Sequence, residues 1–322
     1  MIKKIGILTS GGDAPGMNPA IRSVVRTGLS YGLEVYGIYN GYKGLINEEI
    51  VPMDRSSVSD IVNLGGTILK TARLPEFKNL EVQKKAVEIL RKRGIEALVV
   101  IGGDGSYRGA LGLTKLGINC IGLPGTIDND IASTDFTIGF DTALNTIIDA
   151  VDKIRDTTES HSRCSIIEVM GNHCGDLALY SGIAEGAEII ITPDFRMSNE
   201  EVFSALRKMR EKDSNKRAIM IVSEKIYPDV HEFAKEIEAN TGFNTRATVL
   251  GYIQRGGAPS ANDRVLAGRM GSYAVDLLVN GKGGRCVGIR GINLVDYDIN
   301  EALKMERNPH KNMIELIKKT NK

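Results

Sequence analysis

Residues 97–106 read Ala-Leu-Val-Val-Ile-Gly-Gly-Asp-Gly-Ser. Ala97 to Ile101 is an unbroken apolar run rich in β-branched residues, the pattern of a strand buried on both faces of a parallel sheet. It stops at Gly102-Gly103-Asp104-Gly105-Ser106. Glycines let backbone N–H groups approach a phosphate closely. Ser106 is placed to cap the following helix, whose N-terminus favours an anion. A carboxylate at Asp104 would repel phosphate directly, but suits a Mg²⁺ lying between the two. Ile118 to Leu123 is a second strand. It ends in Pro124-Gly125-Thr126-Ile127-Asp128-Asn129-Asp130. Carboxylates thus gather at two successive strand ends, where open α/β sheets bind their ligands. A lone glycine pair would read as a tight turn; acids on two strand ends argue for chemistry.

Working outward, Ile5 to Thr9 reads as a first strand ending in Ser10-Gly11-Gly12-Asp13. Gly-Gly-Asp therefore occurs twice between a strand and a helix, and two such loops at one crevice would clamp phosphates. Asn18 as N-cap and Pro19 at the first helical position predict the next helix, with Ile21, Val24, Val25 and Leu29 inward and Gly32 at its end. Leu33 to Tyr39 is a second strand. Val82, Ala86, Ile89 and Leu90 mark an amphipathic helix closed by Gly94. Asp141 to Arg155, a helix opened by a Ser198/Glu201 capping box, and a helix from Val230 capped by Gly242 follow. Strands are expected at Ser165 to Met170, Ile189 to Ile191, Arg217 to Ser223 and Arg246 to Ile253, then a helix through Leu266, Met270, Ala274 and Leu277. This alternation predicts an α/β fold with mainly parallel, doubly wound sheets.

Composition narrows the function classes. The 322 residues are 42% hydrophobic and 25% charged, with net charge +1. A chain this long can carry two cores. The charge balance offers no basic surface for nucleic acid or membrane, and no apolar run approaches the roughly 18 residues of a membrane span. Met1-Ile2-Lys3-Lys4 is expected to lead straight into a strand without a signal peptide. Cys120, Cys164, Cys174 and Cys286 have no metal-ligand spacing and suit a reducing, cytoplasmic setting. His161, His173, His231 and His310 read as surface or packing residues. No Gly-x-Gly-x-x-Gly follows the first strand, which counts against a dehydrogenase.

Gly-Gly-Asp-Gly-Ser followed by Pro-Gly-Thr-Ile-Asp-Asn-Asp resembles the bacterial ATP-dependent 6-phosphofructokinases, and the likeness runs from about Lys4 to about Leu316. The resemblance implies two interleaved three-layer α/β/α domains. Residues 1–139 and 254–301 would bind ATP and Mg²⁺, and 140–253 with 302–322 the sugar phosphate. It implies transfer of the γ-phosphoryl of ATP to the 1-hydroxyl of fructose 6-phosphate, giving ADP. Nucleotide contacts would come from Gly12, Arg73, Leu74, Gly103, Asp104, Gly105, Ser106 and Gly109, with Gly109 leaving room for the nucleotide and Asp104 holding Mg²⁺. Asp128 would be the base, supported by Asp130 and Thr126, and Arg73 would bridge both substrates. The next basic family position falls on Lys78. Arg163, Arg246 and Arg255 would bind the sugar phosphate, with Met170, Gly171, Asn172, Glu224 and Tyr252 around the sugar. In the family, Arg163 and Arg246 come from a neighbouring subunit, so a homotetramer with shared active sites is implied. Arg22, Arg26, Arg55, Asp60, Arg155, Gly186 and Glu188 match an effector pocket for ADP or phosphoenolpyruvate.

The chain departs from the family pattern at four places. Asn172 replaces the Arg of Met-Gly-Arg, and Tyr252 replaces a histidine. Both changes remove positive charge from the sugar-phosphate side. Asp213 and Asn215 replace two basic effector positions. These departures leave open a relative that uses pyrophosphate or another phosphorylated sugar, or a non-catalytic regulatory paralogue. Intact acids argue against the last. Pyrophosphate-dependent relatives typically carry Asp at 105 and Lys at 125. Glycine at both is expected to leave an open, uncharged cavity for ATP.

Overall fold

A computed structural model describes residues 2–212 and 217–320. Asp213 and Asn215 lie outside the described residues. The chain divides into two compact units. Unit one comprises Met1–Ile127, Ile131–Thr142 and Arg255–Arg307; unit two comprises Asp128–Asp130, Ala143–Gln254 and Asn308–Lys322.

Unit one is built on a seven-stranded sheet. Its strands are β1 (Lys4–Ser10), β2 (Glu34–Ile38), β3 (Ile50–Met53), β4 (Ala97–Gly102) and β5 (Asn119–Pro124), with β10 (Arg285–Arg290) and β11 (Asn293–Asp298) arriving late in the sequence. The order is β11-β10-β5-β4-β1-β2-β3. The centre is parallel, and β3 and β11 close the two edges antiparallel. The apolar run at 97–102 is buried throughout, as a central strand between two parallel neighbours must be. Leu8, Leu98, Val100, Ala86, Leu90 and Tyr107 pack one core between the sheet and the helices Leu80–Lys92 and Asp104–Lys115. Helices Met17–Ser30 and Ala261–Val279 cross tightly against each other. A Cβ on Gly271 would stand 2.8 Å from Ser23 Cβ, and Ser23 Oγ donates to Gly268 O at 2.6 Å.

Unit two carries a four-stranded, all-parallel sheet: β6 (Cys164–Val169), β7 (Ile189–Ile191), β8 (Ala218–Ser223) and β9 (Thr245–Val249), ordered β7-β8-β6-β9. Ile166, Ile191, Met220, Val222, Leu206 and Phe233 fill its core. The capping box forms: Ser198 N donates to Glu201 Oε2 and Glu201 N to Ser198 Oγ. Gly242 ends its helix in the left-handed region at φ 69°, as a C-cap glycine should.

Several expectations are corrected. The helix Met17–Ser30 begins after Gly16, not at Asn18. Asn18 is buried and works as a brace: its Nδ2 donates to Leu64 O and Gly65 O, and its Oδ1 accepts from Ile68 N. The strand expected over 246–253 stops at Val249. Gly251 at φ 56° opens a 3₁₀ turn, Gly251–Arg255, that carries Tyr252 and Gln254. The unit boundaries fall at Thr142, Arg255 and Arg307, beside the approximate 139, 254 and 301 expected, and Asp128–Asp130 groups with unit two. The reason is Asn129. Its Nδ2 donates to buried Asp176 at 2.8 Å, and its carbonyl accepts from Cys174 Sγ.

Candidate active site

The two Gly-Gly-Asp loops of unit one meet. β1 and β4 are neighbours, with Ser10 opposite Gly102. Gly102 permits the approach, since a Cβ there would lie 2.3 Å from both Ser10 O and Ser106 Oγ. Gly103, not Ser106, is the N-cap of the helix Asp104–Lys115. Ser106 sits in the first turn, and its hydroxyl donates across to Ser10 O at 3.0 Å, tying the loops together. Tyr42 fixes the turn from behind by donating to Ser106 O at 2.6 Å.

The first turn faces open space. A Cβ on Gly103 or Gly105 would meet nothing within 4 Å. The leading N–H groups of a helix lack intrahelical acceptors and, with the helix dipole, favour an anion; the Ser106 N–H is not among them, since it donates to Gly103 O at 2.9 Å. Asp104 stands among them with its side chain 46% exposed, 3.7 Å from the Arg108 guanidinium. Two glycines behave otherwise than expected. The room beside Gly109 is taken by the Tyr42 ring, 2.6 Å from where a Cβ would be, so this glycine serves packing. Gly125 does not border a cavity: a Cβ there would strike Ile101 Cγ2 at 2.8 Å and Met17 Cε at 3.0 Å.

Further loops join this edge. Thr71 Oγ1 donates to Gly11 O, and Thr9 Oγ1 to Lys70 O, so the segment bearing exposed Arg73 and Lys78 is tied to the end of β1. Leu74, half-buried, packs on the core and precedes the 3₁₀ turn Pro75–Lys78. The Arg255 guanidinium lies against Gly12, 3.1 Å from where its Cβ would be, and the Gly257 carbonyl packs on Gly65. Arg255 thus stands at the first Gly-Gly-Asp loop. Thr126 is fixed by its N–H to Ile138 O and by Thr137 Oγ1 donating to its carbonyl.

In unit two the expected sugar-side residues separate into two groups. Met170, Gly171, Asn172 and Glu224 cluster at the carboxyl ends of β6 and β8. Met170 N donates to Gln254 Oε1 at 3.0 Å, and Asn172 N to Glu224 Oε1 at 2.7 Å. Gly171 at φ 140° is forced, since a Cβ would lie 2.3 Å from Cys174 O. Arg163 and Arg246 sit at the other end. Arg163 immediately precedes β6, and Arg246 pairs with Ser165 near its start. Met170 is five residues further along, about 16 Å at strand rise, beyond the reach of an arginine side chain. Arg246 instead bonds its own strand's Thr245 O and lies 3.4 Å from Glu238. Tyr252 is 80% exposed. Asp128 and Asp130 are half-buried on either side of Asn129, which is held at φ 52° by its bond to Asp176.

A family model described as phosphofructokinase matches residues 4–278. The chain belongs to the phosphofructokinase family. It is 60% identical over 309 residues to the ATP-dependent 6-phosphofructokinase of Vibrio cholerae, covering 96% of each chain. The Photobacterium profundum protein of the same name is 58% identical over 320 residues, 99% of each. Among solved structures, the phosphofructokinase of Saccharomyces cerevisiae superposes with a TM-score of 0.87 at 35% identity. It matches 99% of this chain, which spans about half (47%) of that longer one. A pyrophosphate-dependent phosphofructokinase from Marinobacter aquaeolei shares the fold at TM-score 0.83 and 22% identity.

The residues matched to the family's effector pocket also fall into two groups. Arg22 and Arg26 line a cavity of about 340 Å³ in unit one, together with Val62 and Arg264. Arg26 Nε is buried there without a hydrogen-bond partner. Arg55 and Asp60 lie on the exposed loop after β3, Asp60 at φ 55°. In unit two, Arg155 is engaged by Glu185 Oε2 at 2.7 Å, Glu188 Oε2 accepts from Ile219 N, and Gly186 turns the chain at φ 58°. Sequence reasoning missed Arg264, Gln254, Asp176 and Glu185. Gln254 alone carried a signal, beside Arg255 in the Gln-Arg pair.

Proposed function

We infer that the chain catalyses transfer of the γ-phosphoryl group of ATP to the 1-hydroxyl of fructose 6-phosphate, the phosphofructokinase step of glycolysis. Its likeness to the Vibrio proteins over nearly the whole chain supports the reaction class. Gly105 carries the choice of donor. It leaves the first turn open and uncharged where a pyrophosphate-using relative would carry an aspartate.

Each residue's role follows from its chemistry. The Gly103–Ser106 turn and the Gly11–Gly12 loop donate N–H groups to the nucleotide's phosphates. Asp104 suits Mg²⁺: one half-exposed carboxylate beside open glycines matches a cation that is completed by phosphate oxygens and water. Among the described residues no three carboxylate, imidazole or thiol groups form a protein-only metal cage. Mg²⁺ there would neutralise phosphate charge. Asp128 takes the proton of the attacking 1-hydroxyl. Asn129, pinned to Asp176, fixes the backbone between Asp128 and Asp130. Arg73 and Arg255 offer forked donors to charge developing on the transferred group. Met170, Gly171 and Glu224 hold the sugar.

Arg163 and Arg246 serve a neighbouring subunit's sugar phosphate in a homotetramer. Their place at the amino ends of β6 and β9, away from their own chain's Met170 and Glu224, supports that reading. The cavity of Arg22, Arg26 and Arg264 takes a phosphorylated effector, ADP or phosphoenolpyruvate. Glu185 already engages Arg155, so the effector response is weakened. A cytoplasmic setting suits four buried thiols, with burial pushing Cys120 and Cys164 up to about 12. No helix among the described residues is long and apolar enough to cross a membrane.

A coupled assay of fructose 6-phosphate with ATP and, separately, with pyrophosphate tests the reading. Turnover with ATP alone is expected. Turnover with pyrophosphate, or with neither donor, overturns it.

A further inference from the structure

The ends of β6 and β8 hold a cation that the sequence pattern did not single out. Lys225 follows Glu224 directly after β8 and adopts φ 65°, in the left-handed region. Asn172, after β6, adopts φ 58°. Asparagine visits this region readily, whereas a lysine enters it at a cost, and such strain concentrates where a site requires it. The two residues meet: Lys225 Nζ donates to Asn172 Oδ1 at 2.5 Å, while Asn172 N donates to Glu224 Oε1 at 2.7 Å.

Lys225 makes no ion pair among the described residues, although Glu224 is its chain neighbour. An amide oxygen orients an ammonium without neutralising it. The charge therefore stays available at the edge of a cavity of about 490 Å³, lined also by Glu168, Glu224, Tyr227, Asp229 and His231. Burial, and next the Glu224 charge, raise the Glu168 carboxyl above its usual range. The cavity lies at the carboxyl edge of a parallel sheet, where such sheets take ligands. The sequence pattern that this chain resembles carries an arginine at 172, where Asn172 stands.

We infer that Lys225 recognises a phosphate group of the phosphorylated sugar, supplying from 225 the positive charge that position 172 lacks. The inference rests on the function proposed above. An ammonium is a point charge with three donors. One is committed to Asn172, and two remain for phosphate oxygens. Asn172 becomes the positioning residue, and the left-handed backbone at both positions is what brings stem and amide together.

The test compares the wild type with Lys225→Met, Lys225→Arg and Lys225→Gly. It measures the KM for fructose 6-phosphate, the KM for ATP, kcat and the thermal midpoint. Loss of a charged hydrogen bond predicts a KM for fructose 6-phosphate raised about 10- to 100-fold in Lys225→Met, with the KM for ATP within about twofold. Lys225→Arg retains most of the affinity. Lys225→Gly loses it yet melts at a higher temperature, because glycine relieves the strain. A KM for fructose 6-phosphate within twofold of wild type in Lys225→Met, or a KM for ATP rising in step, overturns the inference. If the wild type itself fails to phosphorylate fructose 6-phosphate with ATP, the proposed function falls and takes this inference with it. An active wild type with an indifferent Lys225→Met removes this inference alone.

Discussion

Gly105→Asp separates donor selection from folding. Gly105 lies in the first turn of the helix Asp104–Lys115, and a Cβ there meets nothing within 4 Å, so the side chain enters without a clash. A carboxylate in the first turn gains about 0.3–1 kcal/mol from the helix dipole. The variant should therefore melt no lower than the wild type. Under the function proposed above, its charge stands where the nucleotide's phosphates bind. Two like charges about 4 Å apart at an effective dielectric constant near 20 repel by about 4 kcal/mol, which is about 10³-fold in kcat/KM for ATP. The assay is steady-state turnover with saturating fructose 6-phosphate and varied ATP, alongside a thermal melt. Retention of kcat/KM for ATP within about threefold would refute the placement of the phosphates at this turn. Gly125→Lys is the contrasting variant. Its Cβ strikes Ile101 and Met17, so it should lower the melting temperature whatever it does to donor choice.

Two further outcomes are expected. Burial pushes the Asp263 carboxyl from 3.8 up to about 6, against hydrogen bonds from Thr142 Oγ1, Gly139 N and Thr142 N. A pKa raised in the folded state stabilises most below the unfolded value. The contribution, about 3 kcal/mol for a shift of about two units, is lost as pH rises from about 4 through 6. The difference in urea midpoint between wild type and Asp263→Asn should shrink over that range, and a constant difference would contradict the assignment. Mixed oligomers of Asp128→Asn and Arg246→Ala, each inactive alone, should recover activity because some sites would draw an intact Asp128 and an intact Arg246 from different chains. Hetero-oligomers that form and stay inactive would count against shared sites.

The central strands were legible because a strand buried on both faces must be continuously apolar, as Ala97–Gly102 and Ala218–Ser223 are. The glycine loops were legible because close backbone approach leaves a residue-type trace, as at Gly102 beside Ser10 and Ser106. The edges were not. β3 contains Pro52, tolerable only at an edge, and β10–β11 mixes arginine and aspartate with apolar residues in a short antiparallel hairpin. Within the site, sequence identified which residues carry charge but not what holds them. Asn18 matched a cap by type and position yet is a buried brace. Ser106 matched a cap yet latches two loops. Gly109 matched nucleotide clearance yet accommodates Tyr42. Each of these depends on partners 46 or more residues distant in the chain, which local spacing does not encode. Lys225 left no signal, since its meaning lies in a backbone angle and in its reach to Asn172.

The central claim is that Asp128 is the base for phosphoryl transfer from ATP to fructose 6-phosphate. Single-turnover chemical quench with both substrates saturating isolates that step, and nucleotide titration checks binding. Asp128→Asn should slow the transfer roughly 10²- to 10⁴-fold while nucleotide affinity stays within about twofold. Transfer by the variant at more than about half the wild-type rate would contradict the account.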